Sequence, residues 1–379
     1  MRCSPAKGQS LSSPPSPQPG RSALVSAPGG GGGGRVSSTG RWPYATARPQ
    51  TRSQNNPAWR VAAIAGLTAI LLLAPAGASA QNWPARLVRL IVPAAAGGSS
   101  DAAARLVANH FQAVLGRPFI IENKPGNGNA LGAALVAQAE PDGYTLLLSN
   151  SASNLTVPLV AGNAGYDPVT DFSHIVMLTS SPYMLAVYPG LGVKSLAEFI
   201  ALARTQKLVY TAANRGGLGN IGGEYFQRLA GISMPHVPYR GGAPAVADVI
   251  AGHLPAIFLP ATTLGEHVRS GALVALAITS TARVPVFPDV PTFAESGYRE
   301  LVMASWFGVS GPKKLAPEIA DRINREARAF LKQPQMRKLA ENDASEPLDA
   351  DAARFTSYVA AEVARWGAVV KALDIKSEE

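Results

Sequence analysis

Cysteine is almost absent from this 379-residue chain, since the single cysteine is Cys3 near the N-terminus. One cysteine cannot form an internal disulfide, and residues 81–379 therefore hold neither a thiolate nucleophile nor a cysteine-based metal site. Charged residues make up only 16% of the chain, whereas apolar residues reach 47%. The chain is expected to bury a sizeable core, and its length suggests two domains.

Signatures of catalysis are also missing. The sequence contains no H-E-x-x-H zinc motif, no G-x-S-x-G nucleophile elbow and no P-loop. One motif does match a cofactor pattern, because Gly217–Gly222 reads G-x-G-x-x-G before a predicted helix. The next predicted strand ends at Tyr239-Arg240, without the acidic residue that a ribose requires. We therefore expect no cofactor, no metal and no enzymatic activity. The histidines of the body have no metal-ligand spacing: His110, His174, His236, His253 and His267.

Acidic residues do not occur in the first 80 positions, which carry eight basic residues. Positions 81–379 hold 26 basic and 25 acidic residues. The formal net charge of +9 therefore comes almost entirely from residues 1–80, which we call the leader. A nearly neutral body lacks the positive charge that DNA or RNA binding needs, and no nucleic-acid partner is expected.

The leader divides into two segments. Residues 1–57 are rich in Ser, Pro and Gly and are predicted to be a disordered extension. A misassigned start codon would give the same composition. Residues 58–80 have the order of a signal peptide, with Arg60, the apolar run Val61–Ala74 and the small-residue site Ala78-Ser79-Ala80.

The apolar run of the leader is about 14 residues long, which is short of the roughly 20 needed to span a bilayer. The sequence therefore predicts export to the periplasm with cleavage after Ala80. The mature protein is expected not to be embedded in a membrane and to be a monomer.

Strand and helix patterns alternate along the body. This order requires parallel sheets with right-handed crossovers, so the fold class is α/β. The alternation restarts near Tyr183, which places domain I at 84–180 plus 307–379 and domain II at 181–306. The predicted strands are 86–92, 119–122, 144–148, 208–211, 236–239, 256–259 and 303–310. The predicted helices include 101–115, 129–139, 220–230, 317–332 and 351–372, and capping boxes are predicted at Ser195/Glu198, Thr263/Glu266 and Thr292/Glu295.

Four junctions between a strand and the following helix carry small or polar residues. In open parallel sheets such junctions line the crevice at the carboxyl ends of the strands, next to helix N-termini that attract anions. Two such loops from each domain would form a site for a small carboxylate. The candidate ligand-binding residues are Ala95, Ala96, Gly97, Gly98, Asp101, Ser149, Asn150, Ser151, Asn154, Asn214, Arg215, Gly216, Gly217, Gly241, Gly242 and Ala243.

Several short motifs are distributed over the body of the chain. They are Arg89–Asp101 (RLIVPAAAGGSSD), Ile121–Gly128 (IENKPGNG), Pro141–Leu148 (PDGYTLLL), Tyr166–Pro168, Asp171-Phe172, His236–Pro244 (HVPYRGGAP), Pro288–Thr292 (PDVPT) and Ser305–Gly308 (SWFG). In combination they resemble the substrate-binding proteins of tripartite tricarboxylate transporters, the Bug family, and the resemblance runs from about Pro84 to Ile375.

The resemblance implies a Venus-flytrap fold, in which two α/β domains close on a small carboxylate. It also implies that Asp101 meets a ligand amino group or orients water. The sequence departs from the family pattern at several positions. Ala94 replaces a usual aromatic residue and implies a roomier cleft, Asn220 replaces a common His, and Leu259 replaces a common Asp. The guanidinium of Arg215 faces either the ligand or solvent.

The function that we infer from the sequence is capture of a small organic acid for delivery to a membrane permease. Two alternatives remain open at this point. A receptor that feeds a sensor kinase would have the same sequence features. An exported enzyme would use Asp101 as general acid or base, but it would also need a second positioned titratable group.

Overall fold

The computed structural model describes residues 83–342, 344–347 and 350–376. The predicted extension 1–57, the signal peptide 58–80 and the cleavage site after Ala80 lie outside these residues. Within the described part of the chain, no helix is both long enough and apolar enough to cross a membrane.

Helices in the described residues follow the apolar periodicity of the sequence. They are α1 (Ser99–Leu115), α2 (Ala130–Ala137), α3 (Val157–Ala161), α4 (Leu196–Thr205), α5 (Leu218–Ala230), α6 (Gly242–Ile250), α7 (Ala261–Arg269), α8 (Pro317–Leu331), α9 (Pro334–Asn342) and α10 (Ala352–Leu373). Short 3-10 turns occur at Asn127–Asn129 and Pro189–Leu191, and a π-helical turn occurs at Ala152–Thr156.

The strands form one connected sheet with the order β2-β1-β3-β8-β4-β6-β5, while β7 and β9 also pair with β4. β1 is parallel to β2 and β3, and β5 is parallel to β6, as the βαβ pattern requires. The bounds are β1 (Val88–Val92), β2 (Phe119–Asn123), β3 (Thr145–Asn150), β4 (Phe172–Val187), β5 (Tyr210–Thr211), β6 (Ala256–Pro260), β7 (Val274–Ile278), β8 (Ala304–Pro312) and β9 (Glu346–Pro347).

β4 joins two regions of sheet because it is 16 residues long. Its first half pairs antiparallel with β8, and its second half pairs antiparallel with β6 and β7. We call the part built on β1, β2 and β3 the first region and the part built on β5, β6 and β7 the second region. β4 and β8 are the crossover strands between them.

Each region has its own apolar core. In the first region, α1 and α8 pack on the sheet through buried side chains such as Phe111, Leu148 and Ile323. In the second region, α4 and α5 pack on it through Phe199 and Phe258. α10 takes part in both regions: its start packs on Trp306, whereas its end, at Trp366 and Val370, packs in the core of the second region. The division into domain I and domain II stays a prediction, which structures with and without ligand would test by the rigid bodies that move.

The α/β alternation that the sequence predicts is confirmed, with three exceptions. The predicted strand 236–239 is wrong, because only His236 forms an isolated bridge, to Tyr210. The predicted capping box Thr263/Glu266 is also wrong, since the N-cap of α7 is Pro260, three residues before Thr263. The long strand β4 and strand β7 were not predicted. The other two boxes are present: Ser195 Oγ accepts from Glu198 N, and Thr292 Oγ1 accepts from Glu295 N.

Candidate functional site

A cleft of about 520 Å³ opens between the first and second regions, beside the crossover strands. Parts of both regions face it, so its walls would move if the regions rotate about the crossover. Its described lining residues are Ser99, Ser100, Asn127, Gly128, Asn129, Asn150, Ser151, Ala152, Thr156, Val157, Val160, Ala161, Tyr183, Asn214, Arg215, Gly216, Gly217, Leu218, Ser305 and Phe307.

The N-terminus of α1 faces the cleft through Ser99 and Ser100. The cap residue Gly98 has no side chain to accept a hydrogen bond from the first-turn N–H groups. These groups and the partial positive charge of the helix end favour an anion at this wall.

Asp101 lies beneath that helix end and does not line the cleft. Its carboxylate accepts hydrogen bonds from Gly97 N (3.0 Å), Arg105 Nε (2.9 Å) and Asn123 Nδ2 (3.1 Å). The Arg105 guanidinium and then the Gly97 N–H lower the pKa of Asp101 to about 2. The carboxylate is therefore charged at neutral pH, and it fastens the predicted loop Ala95–Gly98 to α1.

The end of β3 and the π-helical turn form a second part of the same wall. Asn150 Oδ1 accepts from the backbone N–H groups of Ala152 and Ser153, both at 2.9 Å. Those two N–H groups are thus satisfied within the protein. Ser151 Oγ lies 3.5 Å from Ser305 Oγ on β8, so two hydroxyls meet at the floor of the cleft.

Two predicted residues of this segment are buried instead of facing the cleft. Ser149 Oγ lies 2.9 Å from Ser310 Oγ between strands β3 and β8. Asn154 is fully buried, and its Oδ1 accepts from Ser153 Oγ at 2.8 Å. Both side chains are inside the first region, so neither contacts the cleft in this conformation.

The turn Asn127–Asn129 lines the cleft although the candidate residues did not include it. All three residues have positive φ, at 45°, 61° and 86°. Within the turn, the Asn129 N–H donates to the backbone oxygen of Gly126 at 3.0 Å, so this N–H is satisfied by the protein. The high Gly and Asn content of Pro125–Asn129 could have predicted this turn from the sequence, because these residue types tolerate positive φ.

The second region contributes the loop Asn214–Gly217 and the N-terminus of α5. Gly217 caps this helix without a side-chain acceptor, as Gly98 does for α1. Leu218 and Arg215 also line the cleft, and Arg215 is the charged residue among the described lining residues. Burial and the positive charge of Arg215 lower the pKa of nearby His236 to about 4, so this histidine is neutral at pH 7.

The cleft thus brings together only part of the predicted set. Asn150, Ser151, Asn214, Arg215, Gly216 and Gly217 line it. The predicted residues that are not among its lining residues are Ala95, Ala96, Gly97, Gly98, Asp101, Ser149, Asn154, Gly241, Gly242 and Ala243. Sequence reasoning did not include Tyr183, because the crossover strand β4 was not recognised. It also did not include Ser305 and Phe307, although the strand that carries them was predicted, because their position beside the cleft depends on the pairing of β8 with β3 and β4.

The G-x-G-x-x-G motif has a packing explanation. A Cβ at Gly219 would lie 2.6 Å from the backbone oxygen of Phe258, and one at Gly222 would lie 2.3 Å from Met303 Sδ. Glycine at these positions lets α5 pack closely on the sheet. In the described part of the chain, no group of three or more His, Cys, Asp or Glu is arranged to hold a metal ion.

A second cavity, of about 580 Å³, lies on the opposite face of the crossover strands. Pro182 and Ala304, which pair directly, line it, whereas the neighbouring residues Tyr183 and Ser305 line the cleft. Successive side chains of a strand point to opposite faces, which explains this division. None of the predicted ligand-binding residues is among its described lining residues.

Comparison with known proteins identifies the family. The sequence profile of the "Tripartite tricarboxylate transporter family receptor" matches residues 103–375. The chain belongs to this receptor family. Protein BugT of Bordetella pertussis is 34% identical over 315 residues, which cover 82% of this chain and 97% of BugT.

Solved structures of similar proteins show the same fold. The structure titled "R. palustris Rpa4515 with adipate" has a TM-score of 0.70 at 31% identity and covers 78% of this chain and all of that chain. MatC from Rhodopseudomonas palustris with bound malate has a TM-score of 0.67 at 28% identity, over 76% of this chain and all of that chain. The predicted periplasmic-binding-protein fold is confirmed.

This tripartite tricarboxylate transporter receptor is a periplasmic solute-binding protein and not an enzyme. Its family also explains why the cleft contains backbone groups, hydroxyls and one guanidinium. These groups can hold a ligand, but Asp101, the acid that an enzyme would use, is bonded beneath α1.

Proposed function

We propose that this receptor captures a small organic acid in the cleft between its two regions, and that the ligand carboxylate is held at the N-termini of α1 and α5. The observation that carries the proposal is the convergence of these two uncapped helix ends on one cleft together with Arg215. Glutamate and aspartate do not occur among the described lining residues, so no fixed negative charge repels the ligand there.

The strength of such a site is sufficient without a buried salt bridge. A charge at a helix N-terminus gains about 0.3–1 kcal/mol when exposed and about 2 when partly buried. A hydrogen bond to a charged group adds about 1.5–3 kcal/mol. Two helix ends and two such hydrogen bonds sum to about 4–10 kcal/mol before the entropy cost of association. The upper part of this range is compatible with micromolar affinity, which requires a net of about 8 kcal/mol.

The ligand class follows from the lining. An amino acid would need a carboxylate opposite its ammonium, and Asp101 is withdrawn beneath α1 with three donors around it. We therefore propose a plain mono- or dicarboxylate. The similar receptors with bound adipate and malate are consistent with this class and with a cleft of about 520 Å³.

Native mass spectrometry of the protein purified from a periplasmic extract tests the proposal directly. We expect a bound acid of low mass, which adipate or malate displaces in a competition series. A co-purified amino acid, or a nucleotide, would contradict the proposed ligand class.

We also propose that the signal peptide is cleaved after Ala80 and that the closed form delivers the ligand to a membrane permease. N-terminal sequencing of the secreted protein should begin at Gln81. Deletion of the gene should abolish uptake of the labelled acid. Normal uptake with loss of an acid-dependent transcriptional response would favour a sensor partner instead.

A further inference from the structure

A buried chain of hydrogen bonds lies beneath the ligand loop Asn214–Gly217. Asn220 Oδ1 accepts from the backbone N–H of Gly216 at 3.0 Å, and Asn220 Nδ2 donates to Tyr210 Oη at 3.0 Å. The Tyr210 hydroxyl in turn donates to Glu224 Oε1 at 2.8 Å. Asn220 and Tyr210 are almost completely buried, and neither they nor Glu224 line the cleft.

Glu224 is the last residue of this series of hydrogen bonds, and its chemistry determines the donor and the acceptor in each of the others. Two acceptors lie near the Tyr210 hydroxyl, Glu224 Oε1 at 2.8 Å and the backbone oxygen of Asn220 at 3.3 Å, and neither can donate to it. The single hydrogen of the hydroxyl therefore points away from the Asn220 side-chain amide, towards the nearer carboxylate oxygen. Tyr210 Oη is then left as an acceptor, and it receives the Nδ2 hydrogen of Asn220. The amide of Asn220 is therefore oriented with its oxygen towards Gly216 and its nitrogen towards Tyr210.

Close packing holds these groups together. A Cβ at Gly223 would lie 2.4 Å from the Tyr210 ring, so glycine is needed for the ring to lie against α5. Burial and the negative charge of Glu224 raise the pKa of Tyr210, so its hydroxyl keeps its hydrogen. The chain of bonds is thus intact across the physiological pH range.

At its other end, this series of hydrogen bonds determines the backbone conformation of the loop Asn214–Gly217. Gly216 has a φ of +70°, and its N–H is fixed by Asn220. The following residues, Gly217 and Leu218, begin α5 and face the cleft. A different backbone conformation at Gly216 would turn the N–H groups of Gly217 and Leu218 away from a bound anion.

We propose that Tyr210 and Asn220 are positioning residues, which fix the left-handed turn at Gly216 and so aim the N-terminus of α5 at the ligand. This inference rests on the proposed carboxylate site for its effect on affinity. The effect on the loop itself does not depend on the ligand.

The variant Tyr210→Phe tests the proposal, because it keeps the ring on Gly223 and removes only the hydroxyl. We expect amide hydrogen exchange at Gly216 in the unliganded protein to become about tenfold faster. We also expect the Kd for adipate or malate, whichever binds the wild type, to rise at least about threefold. Asn220→Ser gives the same two measurements if Tyr210→Phe does not fold.

Two control variants separate positioning from general stability. Tyr144→Phe also removes a tyrosine hydroxyl, which accepts a hydrogen bond from Ala85 N at the protein surface. Tyr144 is not among the cleft lining residues, so exchange at Gly216 and affinity should not change. Glu224→Gln keeps an acceptor for Tyr210, so exchange at Gly216 should stay nearly as slow as in the wild type.

The possible results lead to distinct conclusions. Unchanged exchange at Gly216 in Tyr210→Phe would overturn the positioning role. Faster exchange with unchanged affinity would show that the turn does not influence the ligand. Absence of binding to any carboxylate in the wild type would contradict the proposed function, while the exchange measurement would still decide whether Tyr210 holds the turn.

Discussion

Asp101 accepts a hydrogen bond from the backbone N–H of Gly97 at 3.0 Å, and this bond ties the loop before α1 to the first turn of that helix. The same carboxylate is bonded to Arg105 and Asn123. Asp101 therefore shapes one wall of the cleft without facing it, which gives a way to distinguish its structural role from a role as counter-charge to an amino group.

The first prediction concerns Asp101→Asn. The ligand should lose no direct contact, so the Kd for adipate or malate should change by less than about fivefold, or about 1 kcal/mol. Isothermal titration calorimetry measures the change. A loss of binding by several orders of magnitude, together with binding of an amino acid by the wild type, would show that the carboxylate meets an ammonium.

The second prediction concerns Gly98, the cap residue of α1. Its φ of −85° and ψ of 176° suit any residue, and an added Cβ would have only an ordinary contact with Ala95 at 3.7 Å. Gly98→Leu should fold with an unchanged melting temperature. Its side chain should shield the N–H groups of Ser99 and Ser100 and weaken carboxylate binding by at least about tenfold.

Gly98→Ala is the matched control for this prediction, because it adds the Cβ without the bulk that covers the helix end. Calorimetry should place its affinity near that of the wild type. Equal affinity of Gly98→Leu and wild type would show that the N-terminus of α1 is outside the ligand site.

The third prediction concerns pH. Burial lowers the pKa of His174 to about 4, from an ordinary value of 6.5, although its Nε2 lies 2.9 Å from the oxygen of Pro168. The unfolded state therefore binds a proton at higher pH than the folded state. The stability that the neutral ring provides is present above pH 6.5 and is lost as the pH falls towards 4.

Between pH 7 and pH 5 this single group should reduce the free energy of unfolding by about 1–2 kcal/mol. Urea titrations at the two pH values measure the difference. His174→Gln should show a smaller decrease, whatever its stability at pH 7, whereas a variant of the exposed His253 should keep the full decrease. An equal pH dependence in His174→Gln would contradict the assignment.

The regular parts of the fold were predictable from local patterns. The alternation of Leu and Val in Val88–Val92 identified β1, and Gly116 marked the end of α1 with its left-handed φ. β4 was missed because most of its 16 residues are buried on both faces, polar ones such as His174 and Ser181 included, and because it contains Pro182, so period-two alternation does not identify it. That strand lies in the middle of the sheet and is defined by partners that are distant in sequence.

The candidate site was predictable only in part: 150–151 and 214–217 line the cleft, whereas 95–98 and 241–243 are not among its lining residues and the turn Asn127–Asn129 was not predicted. The Gly and Asn content of 214–217 correctly indicated a turn that faces the cleft, including Arg215. The pattern did not show that Ser149 bonds to Ser310 across the sheet, or that Asp101 is enclosed by Gly97, Arg105 and Asn123. Such orientations depend on tertiary neighbours, which one sequence does not specify.

In the proposed site, backbone groups at two helix ends hold the ligand carboxylate more strongly than any one side chain does. Calorimetry of adipate and of adipamide, its uncharged diamide, against wild type, Arg215→Ala and Arg240→Ala separates the two contributions. Arg240 is an exposed arginine of the second region outside the cleft lining, so it controls for the loss of charge. We expect Arg215→Ala to weaken adipate binding by no more than about tenfold, roughly 1.4 kcal/mol, and Arg240→Ala to have little effect. The diamide should bind the wild type far more weakly than adipate does, and this loss should exceed the loss caused by either substitution. A much larger loss for Arg215→Ala than for amidation of the ligand would contradict the proposed site.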